Sequence, residues 1–503
     1  MADFDRIFDA ELSRREVVWN GLTGVAFICS FDKLAKLGTR PSGKTAPARR
    51  PKRGSGSPFD PFQVDLPRPP VLQPQAKGGA DVYEMEMKPG MASILPGYET
   101  PVLGYNGIYP GPTIRAKAGR PVRVVQQNQT DRDLNVHLHG GITEPESDGH
   151  PDDFLPPDTA RTYRYANDQH AATLFYHDHA HGETAQTLYA GLGGFYLLSD
   201  AKERKLGLPR GKYDVPLLIQ DRSFKDDGSL HYVPNLDFGF YGDTILVNGA
   251  IAPRMAVKRR LYRFRLLNGS NARPYDLRLG NNREMIQIAG DTSLLPRPVK
   301  RTAIPLDAAE RAEVLIDFSK FRPGTELVLH NAYNPFDQGS VAAVMRFDVE
   351  GGGGKEQFQV PKKMLPREKV PEPTMERTFK LDISGYPTPE DAPRWEINDM
   401  GFDTNRVDAT PTLGTTETWT WVNESARIHP MHMHGFHFHV IEVNGEKPHP
   451  ADRGWKDIVS VKPFETVKVR PYFRGFPGRY VFHCHAAEHG DHDMFSQMEA
   501  MES

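Results

Sequence analysis

The chain has 503 residues, with 62 Lys and Arg against 65 Asp and Glu and a formal net charge of −3. That length asks for about two to four domains with sizeable cores. The near-neutral charge excludes nucleic acid or an anionic membrane as the basis of function, and no uninterrupted apolar run is long enough to span a bilayer. Two cysteines, Cys29 and Cys484, exclude a disulfide framework.

Residues 1–59 read as a separate segment. Arg14 and Arg15 precede a mildly apolar stretch from Val17 to Cys29, and a basic Gly/Pro/Ser-rich run follows. This pattern is that of a twin-arginine export signal with a linker, so a periplasmic or secreted location is the expectation. Asp3, Asp5, Asp9 and Glu11, and an Ala46-Pro47-Ala48 cleavage candidate far downstream, fit the alternative of a plain tail on a cytoplasmic or spore-coat protein.

From residue 60 onward the texture is that of strands. Residues 121–125 (PVRVV), 263–267 (RFRLL), 314–318 (VLIDF) and 466–470 (TVKVR) are short and β-branched or alternating, with Gly, Pro and Asn between them. The 45 Gly and 43 Pro agree with many turns. A break near 200–212 and a Gly-, Lys- and Pro-rich link at 356–372 divide the chain into β-rich units at 60–205, 206–355 and 373–503. Each has a size that suits a β-sandwich, and the expected class is all-β.

Chemistry concentrates in four histidine clusters. His137-Leu138-His139 and His177-Asp178-His179 each follow strand-like residues. Residues two apart on a strand share a face, roughly 6.6 Å apart, so such pairs can serve one metal cluster. A single H-x-H is weak evidence, and alone it reads as a surface pair. The third cluster is His429-Pro430-Met431-His432-Met433-His434. The fourth, His483-Cys484-His485, continues to His489 and Met494. A thiolate, two imidazoles and a weak thioether are the ligand types of a blue-copper site. Cys484, His489 and Met494 supply three, and His429 is the natural fourth. Eight histidines remain as four H-x-H pairs: His137, His139, His177, His179, His432, His434, His483 and His485. That is enough for a multinuclear copper centre, with His483 and His485 flanking Cys484. A closed four-coordinate zinc site would be overserved by this set. His150, His170, His181, His437, His439 and His492 break the pairing and read as supporting or surface groups, and Met431 and Met433 as packing residues.

The strings HLHG, HDH, HPMHMH and HCHAAEHGDHDM resemble the four copper-binding loops of three-domain multicopper oxidases, closest in flavour to bacterial laccases of the spore-coat type, with bilirubin and aminophenol oxidases as relatives. The similarity spans about residues 60 to 500. It takes in Ser147-Asp148-Gly149, Tyr189 to Leu192, Tyr262 to Asn268 and Gly454-Trp455-Lys456-Asp457. The resemblance implies three cupredoxin-like Greek-key β-sandwiches and four coppers per chain. It assigns a type 1 copper to His429, Cys484, His489 and Met494, and a type 2 copper to His137 and His432. One type 3 copper falls to His139, His177 and His485, the other to His179, His434 and His483. The implied reaction is one-electron oxidation of phenols or aromatic amines, coupled to four-electron reduction of dioxygen to water. Substrate is expected near an exposed edge of His429 or His489. Asp148 matches a family acid near the cluster, whereas a second acid often found in relatives is replaced here by Gly490.

Other functions stay open at this point: a metallo-oxidase acting on Cu(I) or Fe(II), a narrow aminophenol- or bilirubin-type oxidase, a nitrite reductase, and a non-enzymatic copper-binding coat or electron-carrier protein. The lack of a Met-rich insert speaks against Cu(I). The paired His483 and His485 speak for an oxygen-reducing centre over a simple carrier.

Overall fold

The computed structural model describes residues 59–333, 342–352, 360–366, 368–384 and 394–503. The Arg14-Arg15 segment, Cys29 and part of the 356–372 link lie outside these residues. The fold is all-β, with six principal sheets in three pairs. The first pair comprises a five-stranded sheet in the order Gln75–Lys77, Ala80–Ala92, Val122–Asn128, Ala160–Tyr165, with Thr100–Tyr105 also paired to Ala80–Ala92, and a four-stranded sheet in the order Ile114–Lys117, Gly193–Ser199, Ala172–His177, His137–His139. The second is an eight-stranded sheet through Asp214–Phe224, Leu261–Asn268 and Arg311–Asp317, with a five-stranded sheet through Glu326–Asn331 and Ala343–Val349. The third is a five-stranded sheet built on Pro373–Ser384 and Thr416–Asn423. Its partner has four strands in the order Ile458–Val461, His429–Met433, Gly478–Cys484, Phe495–Ala500.

One pairing recurs in all three. Ala80–Ala92 runs parallel to Val122–Asn128, Asp214–Phe224 parallel to Leu261–Asn268, and Pro373–Ser384 parallel to Thr416–Asn423. Parallel neighbours cannot be joined by a tight hairpin, so each pair needs a crossover, and the Greek-key character follows.

Local sequence explains the strands. In Val122–Asn128 the side chains of Val122, Val124, Gln126 and Asn128 are buried while Arg123 and Gln127 are exposed, the period of two expected of a pleated strand. Leu261–Asn268 is buried along its whole length. Tyr262, Phe264 and Leu266 enter the second core with Phe318 and Phe347, each burial contributing about 1.5–3 kcal/mol. The intervening Arg263 and Arg265 are also inside. Arg265 Nε lies 2.7 Å from Asp214 Oδ1 and its Nη1 2.8 Å from Glu313 Oε1. Arg263 Nε lies 2.7 Å from Glu313 Oε2. Alternation therefore survives, but its polar face meets the first sandwich through a hydrogen bond of 3.1 Å from Arg265 Nη1 to Thr173 Oγ1. In the link, Met364 and Leu365 are buried with Leu208, Leu261, Leu294 and Leu315, so it packs as well as connects. No described helix is long and apolar enough to cross a membrane.

Candidate metal centre

Two strand pairs carry the histidines. His137 stands opposite His177 on antiparallel strands of the first sandwich. His432 stands opposite His483, and Met431 opposite Cys484, in the third. The two pairs meet with all eight imidazoles buried. His137 Nε2 lies 3.2 Å from His432 Nε2, and His483 Nε2 lies 3.2 Å from both His179 Nε2 and His434 Nε2. Ligand atoms of His137, His139 and His177, of His137, His432 and His434, and of His179, His434 and His483 each fall within 4.8 Å of one another. The ring of His485 lies 4.8 Å from that of His139 and 5.2 Å from that of His177. None of His150, His170, His181, His437, His439 or His492 joins these groups; Met431 and Met433 pack in the third core.

Hydrogen bonds fix which nitrogen faces inward. A carbonyl can only accept, so an Nδ1 bonded to one carries the proton and leaves the lone pair on Nε2. His137 donates to Asp148 O at 2.6 Å, His177 to Asp178 O at 2.7 Å, His432 to Asp457 O at 2.8 Å and His483 to Cys484 O at 3.0 Å. His434 Nδ1 meets the Asp148 carboxylate at 2.8 Å. His139 is reversed: its Nε2 lies 3.2 Å from Asp457 Oδ2. Both nitrogens of His139 and of His485, His177 Nε2 and His179 Nδ1 are buried without a hydrogen-bond partner. An unsatisfied buried polar atom costs about 1–3 kcal/mol, and metal ions would satisfy His177 Nε2 and one nitrogen each of His139 and His485. Burial first, then neighbouring imidazoles or cations for most of them, holds these histidines well below their ordinary range, to about 4 for His177 and about 3 for His483. They are neutral at pH 7 and able to act as ligands.

The second site lies on the other side of Cys484. Its Sγ is 3.5 Å from His429 Nδ1 and 3.6 Å from His489 Nδ1. The three form a buried group with ligand atoms within 4.8 Å of one another. Met494 is buried in the same core. Its carbonyl accepts from Cys484 N at 3.1 Å, and its N–H donates to His489 O at 3.1 Å. Burial pushes the thiol far up, so a bound cation must displace its proton. His489 Nε2 donates to Asp237 O at 3.1 Å, which directs Nδ1 at the sulfur. His429 Nε2 lies 2.8 Å from Ser425 Oγ.

Neither His429 nor His489 has the exposed edge expected from the sequence; they are 0% and 1% exposed. Trp395 covers both, with ring centroids 4.1 Å from His489 and 4.9 Å from His429. The segment 233–241 lies against His489 through the Asp237 carbonyl. It is held by Trp395 Nε1 donating to Leu236 O at 2.6 Å and by Arg427 binding both oxygens of Asp237 at 2.8 Å. Nothing in the sequence marked this segment, because a main-chain carbonyl carries no residue signature.

Asp148 stands where the sequence reading placed it, next to the cluster. Its carboxylate accepts from Thr143 Oγ1 at 2.9 Å and meets His434, while its carbonyl holds His137. Burial pushes its carboxyl up to about 7, opposed by the Thr143 hydrogen bond. It also closes the turn Pro145–Ser147, its N–H donating to Pro145 O at 3.1 Å. Asp457 and Arg311 were missed. Asp457 lies in the quoted Gly454-Trp455-Lys456-Asp457 string, but only folding brings it to His139.

Comparison with known proteins agrees with this geometry. Family models described as multicopper oxidase match residues 372–503 and 86–203. The chain is 34% identical to a laccase from Bacillus subtilis (strain 168), covering 87% of this chain and 98% of that protein. It is 33% identical to a bilirubin oxidase from Albifimbria verrucaria, over 87% and 81%. A crystal structure of a multi-copper oxidase from Pediococcus acidilactici superposes with a TM-score of 0.80 at 32% identity, over 88% and 94% of the two chains. The buried histidine cluster, the Cys484 group beside it and these relatives together establish that the chain belongs to the multicopper oxidase family.

Proposed function

We propose that the protein is a laccase-like copper oxidoreductase that withdraws single electrons from small phenolic or aromatic amine donors and delivers them to dioxygen, forming water. The observation that carries this reading is the adjacency of two donor sets: one thiol with two imidazoles, and eight imidazoles beyond the same strand. The orphaned buried nitrogens fit copper, as does the mixed imidazole and thiolate donor set.

The proposed inventory is four coppers. His429, Cys484, His489 and Met494 would hold type 1, and His137 and His432 would hold type 2. His139, His177 and His485 hold one type 3 ion, and His179, His434 and His483 the other. When bound, copper would supply one-electron redox chemistry at each ion, the one at the thiolate and the three at the cluster together providing the four electrons that dioxygen needs.

The chain supplies the rest. Cys484 O accepts from His483 Nδ1 at 3.0 Å, so a hydrogen bond parallels the backbone between the two sites. Complete burial keeps water from the imidazoles. Asp148, between His137 and His434, is the group proposed to hand protons to the cluster. The donor docks over segment 233–241, where Asp237 O touches the His489 ring. Export through Arg14-Arg15 is part of the proposal, and fractionation of a chain with both replaced by Lys tests it: native protein found wholly in the cytoplasm would end that part.

The deciding experiment is copper content and spectrum, followed by dioxygen uptake with phenols, aminophenols, Fe(II) and Cu(I). A blue, four-copper protein turning over aromatic donors is expected. Turnover of Fe(II) or Cu(I) far above every aromatic donor would replace the laccase-like reading with a metallo-oxidase.

A further inference from the structure

The middle sandwich supplies none of the proposed ligands, yet one of its side chains reaches the cluster. Arg311 opens the strand Arg311–Asp317, and its side chain is wholly buried. Nη2 lies 2.8 and 2.9 Å from the two oxygens of Asp457. Nε donates to Thr173 O at 3.2 Å and Nη1 to Ala309 O at 3.0 Å. One guanidinium thereby joins the first sandwich, through Thr173, to the third, through Asp457.

Asp457 in turn touches two of the proposed ligands, one from each side of the cluster. Its Oδ2 lies 3.2 Å from His139 Nε2, and its carbonyl accepts from His432 Nδ1 at 2.8 Å. Gly140 lets the pair come this close. It has φ +82°, and a Cβ there would lie 2.8 Å from Arg311 Nη2 and 2.9 Å from Asp457 Oδ2.

We propose that Arg311 and Asp457 are positioning residues of the histidine cluster. Through them the middle sandwich sets the orientation of His139 and His432, and with it the nitrogen each presents to copper. This inference rests on the copper reading above. The carboxylate, 3.2 Å from His139 Nε2 though outside hydrogen-bond geometry, favours the proton on that nitrogen electrostatically and so the lone pair on Nδ1. The Asp457 carbonyl does the converse for His432, leaving its lone pair on Nε2. Groups behind metal-binding histidines act in this way, and their loss lowers metal affinity about 10–100-fold. Arg311 has a distinct part: it holds the carboxylate by two hydrogen bonds and supplies the counter-charge that a buried carboxylate requires.

The test uses the full chain as native protein, Arg311→Met, Arg311→Lys and Asp457→Asn. Each is titrated with copper against a competing chelator, and occupancy is read with the blue band and the paramagnetic resonance of the type 2 ion. Arg311→Met and Asp457→Asn are expected to lose cluster copper 10–100-fold more readily and to show an altered type 2 signal. Both should keep the blue band, since all four type 1 ligands lie in the third sandwich. Arg311→Lys should recover part of the affinity, because it restores the charge beside Asp457 without the further bonds to Thr173 O and Ala309 O. Asp457→Asn, nearly the same in shape, decides the matter where Arg311→Met gives no folded protein. Native occupancy and native signals in the variants would overturn the inference. Loss of the blue band together with cluster copper would also overturn it, by showing a general folding role. A native chain that takes up no cluster copper in the same titration would sink the copper reading instead.

Discussion

Burial keeps the centre's imidazoles neutral and the Cys484 thiol protonated until a metal arrives. Copper uptake at Cys484 therefore releases a proton, and affinity there should rise with pH. Cys484→Ser is expected to lose the blue band and nearly all oxidase activity, and a full blue spectrum in that variant would refute the ligand assignment. Met494→Leu should keep its copper and change its reduction potential, which a redox titration reads. Asp148 is held at about 7 by burial, so near neutral pH it can both give and take a proton. Donation needs the protonated form; re-oxidation of the reduced enzyme should therefore slow as pH rises through about 7. Asp148→Asn should keep copper and the blue band but re-oxidise slowly with a flat pH profile. Native rates across pH in stopped flow would leave Asp148 a turn residue. A Glu at position 490 is a less simple repair than the sequence suggests. Its Cβ would lie 3.2 Å from Phe495 Cε2 and 3.3 Å from Cys484 O, and Phe495 stacks on His483 at 4.3 Å.

At the scale of elements, two features decide access and rigidity. The strand pairs His137–His139 with Ala172–His177, and His429–Met433 with Gly478–Cys484, carry His137, His139, His177, His429, His432, His483 and Cys484, and place His179, His434 and His485 one or two residues past a strand end. Sites on strands are held more firmly than sites on loops. Segment 233–241 is the contrasting case, an irregular stretch pinned by Arg427 and Trp395. Arg427→Ala should loosen it. Stopped-flow bleaching of the blue band by bulky phenols is then expected to speed several-fold relative to small donors, with re-oxidation by dioxygen unchanged. Equal bleaching rates for native and variant protein with donors of every size would remove the segment from the donor's route.

On the scale of the whole molecule, the cluster is a clasp. Half its histidines come from the first sandwich and half from the third, so copper bound there would favour the folded arrangement over the unfolded chain. Ligand at 100 times its dissociation constant stabilises by about 2.7 kcal/mol per site. Removing copper with a chelator should lower the unfolding temperature, and re-addition should restore it; calorimetry that finds apo and loaded protein equally stable would show that the clasp does not form. The buried network of Arg263, Arg265, Asp214 and Glu313 in the middle sandwich is tied to the first by Thr173, whose hydroxyl donates to Glu313 Oε1 at 2.7 Å and accepts from Arg265 Nη1 at 3.1 Å, so the apo chain is expected to remain folded.

The candidate ligand set was legible in the sequence because copper demands particular side chains, and those side chains recur every second residue at or just past strand ends. HLH, HDH, HMH and HCH state both requirements in residue letters. The all-β class was legible for the same reason: alternation such as that of Val122–Asn128 is a local property. What surrounds the ligands was not. Asp457 lies 318 positions from His139 along the chain, Arg311 belongs to a sandwich without ligands, and Asp237 acts through its backbone. The occlusion of His429 and His489 likewise comes from Trp395 and a distant segment folding over them. Coordination chemistry is written in residue types at short spacing, whereas orientation, access and counter-charge arise from contacts between remote segments, which only the packed chain brings together.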